Sequence, residues 1–392
     1  DAGAPHRGMS TLQAFEIGLA AEKKAYDFYD AALPGITDPD VRELFTELRD
    51  EETEHVEMLR EPISATACGQ CHPKETSEQE ASHHAKAGDI LNTKDGILGQ
   101  TIGGEPAVAV GCRQCHGSIV KVNENGSLDT NTWPNTGIGR VNPDGSKGTC
   151  SACHTRHRFS KEQARKPETC GKCHLGPDHP QKEVYEESKH GILYRAFEDE
   201  LNMDKPKWVA GQDYYDAPTC ATCHMSATTN QPVTHDVGTR LAWNLRAPVS
   251  KRTEGWEQKL EDMQDVCSAC HGSPFVEGFY KQLDSFVALY NDKFAIPAKE
   301  IREYLMEQEV ISKGNFDDKI DWIYWELWHH EGRRARMGAM MMAPDYAWWH
   351  GFYECKLRFA NYMEEANHLI ETGQKAYVAK DFPAATGDTT RP

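Results

Sequence analysis

No run of about 18 apolar residues occurs anywhere in the 392-residue chain, so no transmembrane helix is encoded. Basic charge is scarce. The 43 Lys and Arg stand against 61 Asp and Glu, a net charge of -18, which excludes the basic footprint that broad binding to nucleic acid or an anionic membrane requires. Apolar residues are thin as well: with Gly counted and Tyr left out they make about 43%, under the usual range of roughly 45–50%. Charged residues at 27% and aromatics at 9% are ordinary, so a globular chain of two or three domains is expected, with something besides side chains filling its interior. The opening residues DAGAPHRGMS carry neither a basic n-region nor an apolar h-region, so an exported protein is expected to be present here in its mature form.

Cysteine, by contrast, is abundant and regular. Thirteen cysteines resolve into six CxxC pairs plus Cys355, and histidine follows every pair. The strings are Cys68, Cys71, His72; Cys112, Cys115, His116; Cys150, Cys153, His154; Cys170, Cys173, His174; Cys220, Cys223, His224; and Cys267, Cys270, His271. Chance would give about 0.02 such strings in this composition. The spacing has a mechanical reason: thiols at i and i+3 reach the two vinyl groups of one haem, and the next imidazole turns under the ring as an axial iron ligand. Zinc or a disulfide suits CxxC alone but does not call for His at the next position six times. Six covalent c-type haems are therefore expected, in an extracytoplasmic compartment such as the periplasm, with Cys355 left as a buried structural thiol.

Twelve histidines lie outside the strings, and saturating six irons takes six of them. Candidates for the distal positions are His84 (or His83), His157, His190, His235, His329 (or His330) and His350. A haem with two His ligands only passes electrons, whereas one with an open face binds substrate.

The fold class expected is mainly α: a multihaem cytochrome c with short helices and loops around stacked haems. Residues 1–62 read as a cysteine-free helical hairpin, 63–274 as the haem core, and 275–392 as a helical C-terminal domain with a loose tail. In the hairpin Glu22 falls on the apolar stripe of the first helix, and Glu52 and His55 share a face with Leu44, Leu48 and Leu59 of the second. Glu on one helix and Glu-x-x-His on the next is half of a di-iron carboxylate set, so this segment resembles a single ferritin-like, rubrerythrin-like helix pair. A di-iron site would then be completed between two subunits; an amphipathic docking hairpin is the other reading. The turn-rich loop from Trp133 to Gly148 has no strand before it and reads as a haem cover, not a nucleotide cradle.

Residues 66–366 resemble the hydroxylamine oxidoreductase family of multihaem cytochromes. The likeness is carried by CSACHTRHRFS, ARKPETCGKCHLGPDHPQKEVYEESKHG, APTCATCHMSA, THDVGTRLAWN, WHHEGRRARMGA and APDYAWWHG. It implies that the first of the last five haems, on Cys112 and Cys115, is catalytic, with Asp178 and His179 as the distal acid–base pair. It also implies that Tyr346 bonds to the catalytic haem of a neighbouring subunit in a trimer, and that a second active-site tyrosine falls at Phe279 or Tyr280. The family's usual eight haems are reduced here to six. The activity implied is oxidation of hydroxylamine or hydrazine, with electrons passed to a cytochrome or quinone-linked acceptor. The alternatives are a nitrite or hydroxylamine reductase forming ammonia, and an electron-transfer cytochrome without catalysis. Arg333, Arg334 and Arg336 would pair with haem propionates or form a solvated basic helix end.

Overall fold

Asp38 precedes Pro39 at the start of the second long helix, and its carboxylate accepts from the N–H groups of Asp40 and Val41 at 3.0 and 3.1 Å. This helix, α2 (Pro39–Arg60), folds back on α1 (Thr11–Ala32) through the turn Leu33–Gly35, with Tyr29 edge-on to Phe45 at 5.5 Å and Arg49 paired to Asp30 at 3.4 Å. The structure is a computed structural model describing residues 11–60, 64–92, 94–155, 159–314 and 316–373. His157 lies outside these residues, and so does the side chain of His55. Leu44 is 51% exposed, and Glu22 and Glu52 are only half-buried. The apolar stripe expected to be buried is thus partly open in the single chain, because two helices cannot enclose both of their faces.

The chain is mostly helical, as expected for short helices arranged around cofactors. The regular pairing among the described residues is one antiparallel two-residue ladder, Trp243–Asn244 with Lys251–Arg252. All six CxxCH strings start or end a helix or helical turn, such as Cys112–His116, Cys220–His224 and the end of Trp256–Ser268. The loop read as a haem cover folds onto the second string: Ile138 N–H donates to the Cys115 carbonyl at 2.9 Å and Gly139 N–H to the His116 carbonyl at 3.1 Å. A Cβ at Gly137 would collide with the backbone of Gly117, so close approach requires glycine on this loop.

Long helices return at Ser273–Tyr290, Ile296–Glu307 and Glu354–Thr372. With the segment Lys319–Met340 they bury one apolar cluster that includes Tyr290, Leu305, Ile320, Trp325, Tyr362 and the fully buried Cys355. Three π-helical turns interrupt this region, at Asn291–Ala295, Glu326–Glu331 and Trp348–Tyr353. Among the described residues no helix is long and apolar enough to cross a membrane.

Candidate haem sites and catalytic pair

All thirteen cysteines are free thiols, so the CxxC pairs are not disulfides. Thiols from different strings interact: Cys68 with Cys150, Cys115 with Cys173 and Cys170 with Cys220 by hydrogen bonds, and Cys153 with Cys170 and Cys223 with Cys267 by charge at longer range. A hydrogen bond from Cys150 pulls Cys68 down to about 6, while burial pushes Cys153 and Cys223 up to about 12. The neighbour relations run from the first string through the third, fourth and fifth to the sixth, with the second joining at the fourth. That order is what a continuous electron path between attached haems needs.

The imidazoles repeat one spacing. An iron held at about 2.0–2.1 Å by two imidazoles places their ring centres roughly 6 Å apart. His154 faces His235 at 6.5 Å, His190 faces His271 at 6.1 Å and His84 faces His174 at 6.0 Å. In each pair one ring belongs to a CxxCH string and the other to the distal candidates read from sequence. Burial holds His84 and His224 down to about 4, so both rings stay neutral, the form that binds metal. The buried Nδ1 of His235 has no hydrogen-bond partner. Free thiols, neutral rings and this spacing fit covalent haem.

His174 has a second neighbour, His179, at 6.3 Å. One iron takes only one of His84 and His179 opposite His174. His84 is the more deeply buried ring, whereas His179 presents Nε2 to Asp178 Oδ2 at 3.5 Å, both side chains being a little over a quarter exposed. The loop after the fourth string that carries this pair is pinned by the C-terminal segment: Arg333 donates to the Asp178 carbonyl at 3.3 Å and Arg334 to the Pro177 carbonyl at 3.4 Å. His330 faces the same region. Burial, reinforced by His329 and opposed by the Asp178 charge, lowers it to about 4.

The structure separates His330 from His329, which sequence left as alternatives: His329 is buried against the Trp325 ring at 3.8 Å. His83 sits beside Gly238, away from the pairing that His84 makes. His350 pairs with Asp345 at 2.9 Å on the surface. Tyr280 turns its hydroxyl to Cys267 at 3.9 Å, which places it by the sixth string. Tyr346 lines a surface cleft of about 540 Å³ with Glu183, Glu186, Glu187, Ile192 and Arg195. Its tryptophan neighbours are no core cluster, since Trp348 and Trp349 are 56% and 55% exposed. Arg336 departs from the propionate expectation. It is fully buried and donates to the carbonyls of Gly332, Ala247 and Trp328 and to the Ser250 hydroxyl, four of its five N–H groups.

Comparison with known proteins agrees with this geometry. Residues 141–316 match the family described as "Seven times multi-haem cytochrome CxxCH". A probable nitrite reductase-hydroxylamine oxidoreductase fusion protein of Kuenenia stuttgartiensis is 28% identical over 265 residues, 59% of this chain and 28% of the relative. The C-type polyheme cytochrome OmcC of Geobacter sulfurreducens is 23% identical over 237 residues, 53% of this chain and 26% of that one. The chain thus spans about a quarter of the length of these curated relatives. Among solved structures, a hypothetical multiheme protein superposes with a TM-score of 0.70 at 25% identity, covering 79% of this chain and 78% of its own. A reducing HAO-like protein complex of Kuenenia stuttgartiensis shares the fold at a TM-score of 0.56 and 21% identity, covering 79% and 72%. With its CxxCH strings and facing imidazoles, the chain is a multihaem c-type cytochrome, related in sequence to the Kuenenia nitrite reductase-hydroxylamine oxidoreductase fusion protein.

Proposed function

We propose that the chain is an extracytoplasmic hexahaem oxidoreductase that oxidises hydroxylamine or hydrazine at the haem on Cys112 and Cys115. The observation that carries this reading is the Asp178–His179 pair, held at 3.5 Å on the loop that follows the fourth string. That string lies against the second, with Cys173 beside Cys115 and the Cys115 thiol 3.9 Å from the Lys172 carbonyl. When bound, the six haems supply the iron that takes electrons from the substrate and the path that carries them away.

Oxidising hydroxylamine or hydrazine releases protons as well as electrons, so a proton acceptor must stand near the reacting nitrogen. A carboxylate beside an imidazole supplies one and fixes the ring's tautomer. His330, kept neutral by burial, is a further acceptor facing Asp178. The Arg333 and Arg334 bonds to the Asp178 and Pro177 carbonyls hold the pair in register. His84 and His174 would hold one haem between them, which would leave His179 available for proton transfer. Tyr346 lines an open cleft, and a bond from it to the haem of a second chain, with the trimer and the oxidative direction that go with it, belongs to the same proposal.

Adding hydroxylamine to the oxidised protein should reduce the haems and shift the Soret band, with a cytochrome or quinone-linked acceptor regenerating them. Reduction of nitrite to ammonia without hydroxylamine oxidation would move the assignment to the reductive reading. No spectral response to hydroxylamine or cyanide would leave a pure electron carrier. For the hairpin, Glu22, Glu52 and His55 would hold iron between two subunits. Iron titration of the full chain should then drive association that Glu52→Ala abolishes, and association indifferent to iron would leave a docking hairpin.

A further inference from the structure

The helix Cys220–His224 ends against a buried cation. Arg240 is 2% exposed, and its guanidinium donates to the carbonyls of Thr222 at 3.3 Å, Cys223 at 3.1 Å and Ser226 at 2.8 Å. Nε donates to Gln231 Oε1 at 3.1 Å. All four of these acceptors are neutral. Gln231 passes the network on: its Nε2 donates to Asp265 Oδ2 at 2.7 Å and to the Asp262 carbonyl at 2.8 Å. Thr228 and Asn230 also donate to Asp265, each at 2.5 Å. Asp265 stands two residues before Cys267. One hydrogen-bonded chain therefore places a positive charge behind the fifth CxxCH string and a negative charge at the foot of the sixth.

Arginine keeps its charge wherever it is buried, and a charge taken out of water is felt more strongly by its neighbours. Reducing a ferric haem removes one positive charge from the site. A fixed cation beside that haem stabilises the reduced state, and a fixed carboxylate stabilises the oxidised state. We propose that Arg240 is a positioning and potential-setting residue: it raises the reduction potential of the haem on Cys220 and Cys223 above that of the haem on Cys267 and Cys270, so that electrons rest on the fifth haem. The proposal rests on the presence of covalent haems, not on the nitrogen substrate. Its polar network also ties the two haem-bearing helices together.

The test is a spectroelectrochemical titration of the full holoprotein, wild type against Arg240→Gln and Arg240→Lys, with haem content counted by intact mass. In R240Q one of the titration waves should move to lower potential, and in R240K it should return toward its wild-type position because the charge is kept. Waves unmoved in R240Q, or moved equally in R240K, would overturn the proposal and leave Arg240 as a brace. If R240Q does not load its haems, Asp265→Asn decides: losing the opposing carboxylate should shift a wave upward, and no shift would overturn the proposal. A wild-type mass without haem increments at the fifth and sixth strings would instead refute the haem reading itself.

Discussion

Replacing Asp178 by Asn changes one atom's chemistry and little else. The side chain keeps its shape, and the Arg333 bond goes to the Asp178 backbone carbonyl, so the loop and the axial histidines stay in place. The contact with His179 is partly exposed at 3.5 Å, and exposed polar pairs of that kind contribute about 0–1 kcal/mol to stability. Unfolding and haem content should hardly move. The reaction should move a great deal, because a positioned general base contributes roughly 10²–10⁴-fold, or about 2.7–5.4 kcal/mol of barrier. Steady-state hydroxylamine oxidation, with turnover measured against haem concentration, should show kcat lowered by about that factor and KM little changed, the pattern of a group that acts in the transition state. Turnover within about threefold of wild type, at full haem content, would refute the assignment of Asp178 as proton acceptor.

Three further outcomes follow from the same geometry. His84→Ala should convert one haem from low to high spin while His179→Ala leaves spin states unchanged; the reverse pattern would make His179 the ligand opposite His174 and remove it from proton transfer. Tyr346→Phe should abolish any red-shifted haem band and let subunits separate in denaturant, and wild-type protein that already runs as single chains would show that no crosslink forms. His330 is lowered to about 4 by burial, while in the unfolded chain it titrates near 6.5. Below that value the unfolded chain binds protons the native one does not, so stability should be full above pH ~6.5 and fall as the pH drops toward ~4; denaturation midpoints that stay flat across this window would contradict it.

The parts of the molecule that were legible in the sequence are those in which covalent chemistry dictates spacing. A haem fixes two thiols and an imidazole within five residues, so each string announces itself whatever surrounds it. The paired helices of the hairpin were legible for a related reason: a 3.6-residue period and an Asp-Pro start are local signals. Distal ligands are different, because iron asks only that an imidazole arrive from anywhere in the chain. His84 lies 90 residues before His174 and His190 81 before His271, whereas His235 lies 81 after His154, and nothing local distinguishes His84 from His83.

The choice between His329 and His330 shows where local reading stops. Both fall in the π-helical turn Glu326–Glu331, which inserts a residue into the helical period and rotates neighbouring side chains away from the positions that a 3.6 repeat assigns. One ring lands on Trp325 and the other beside Asp178, and the distinction exists only after Lys319–Met340 has packed. The arginines make the converse point. Arg336 reads as a surface or propionate-binding cation, and Arg240 is one basic residue in an irregular stretch, yet each is buried and answers backbone carbonyls. Loops wrapped around cofactors leave carbonyl oxygens without helix or sheet partners, and a buried polar group left unpaired costs about 1–3 kcal/mol. A forked cation that reaches three or four such oxygens at once resolves that cost in one residue, and in doing so brings a fixed charge to the edge of a redox centre. The same irregular backbone thus creates the need that places Arg240 behind the fifth CxxCH string.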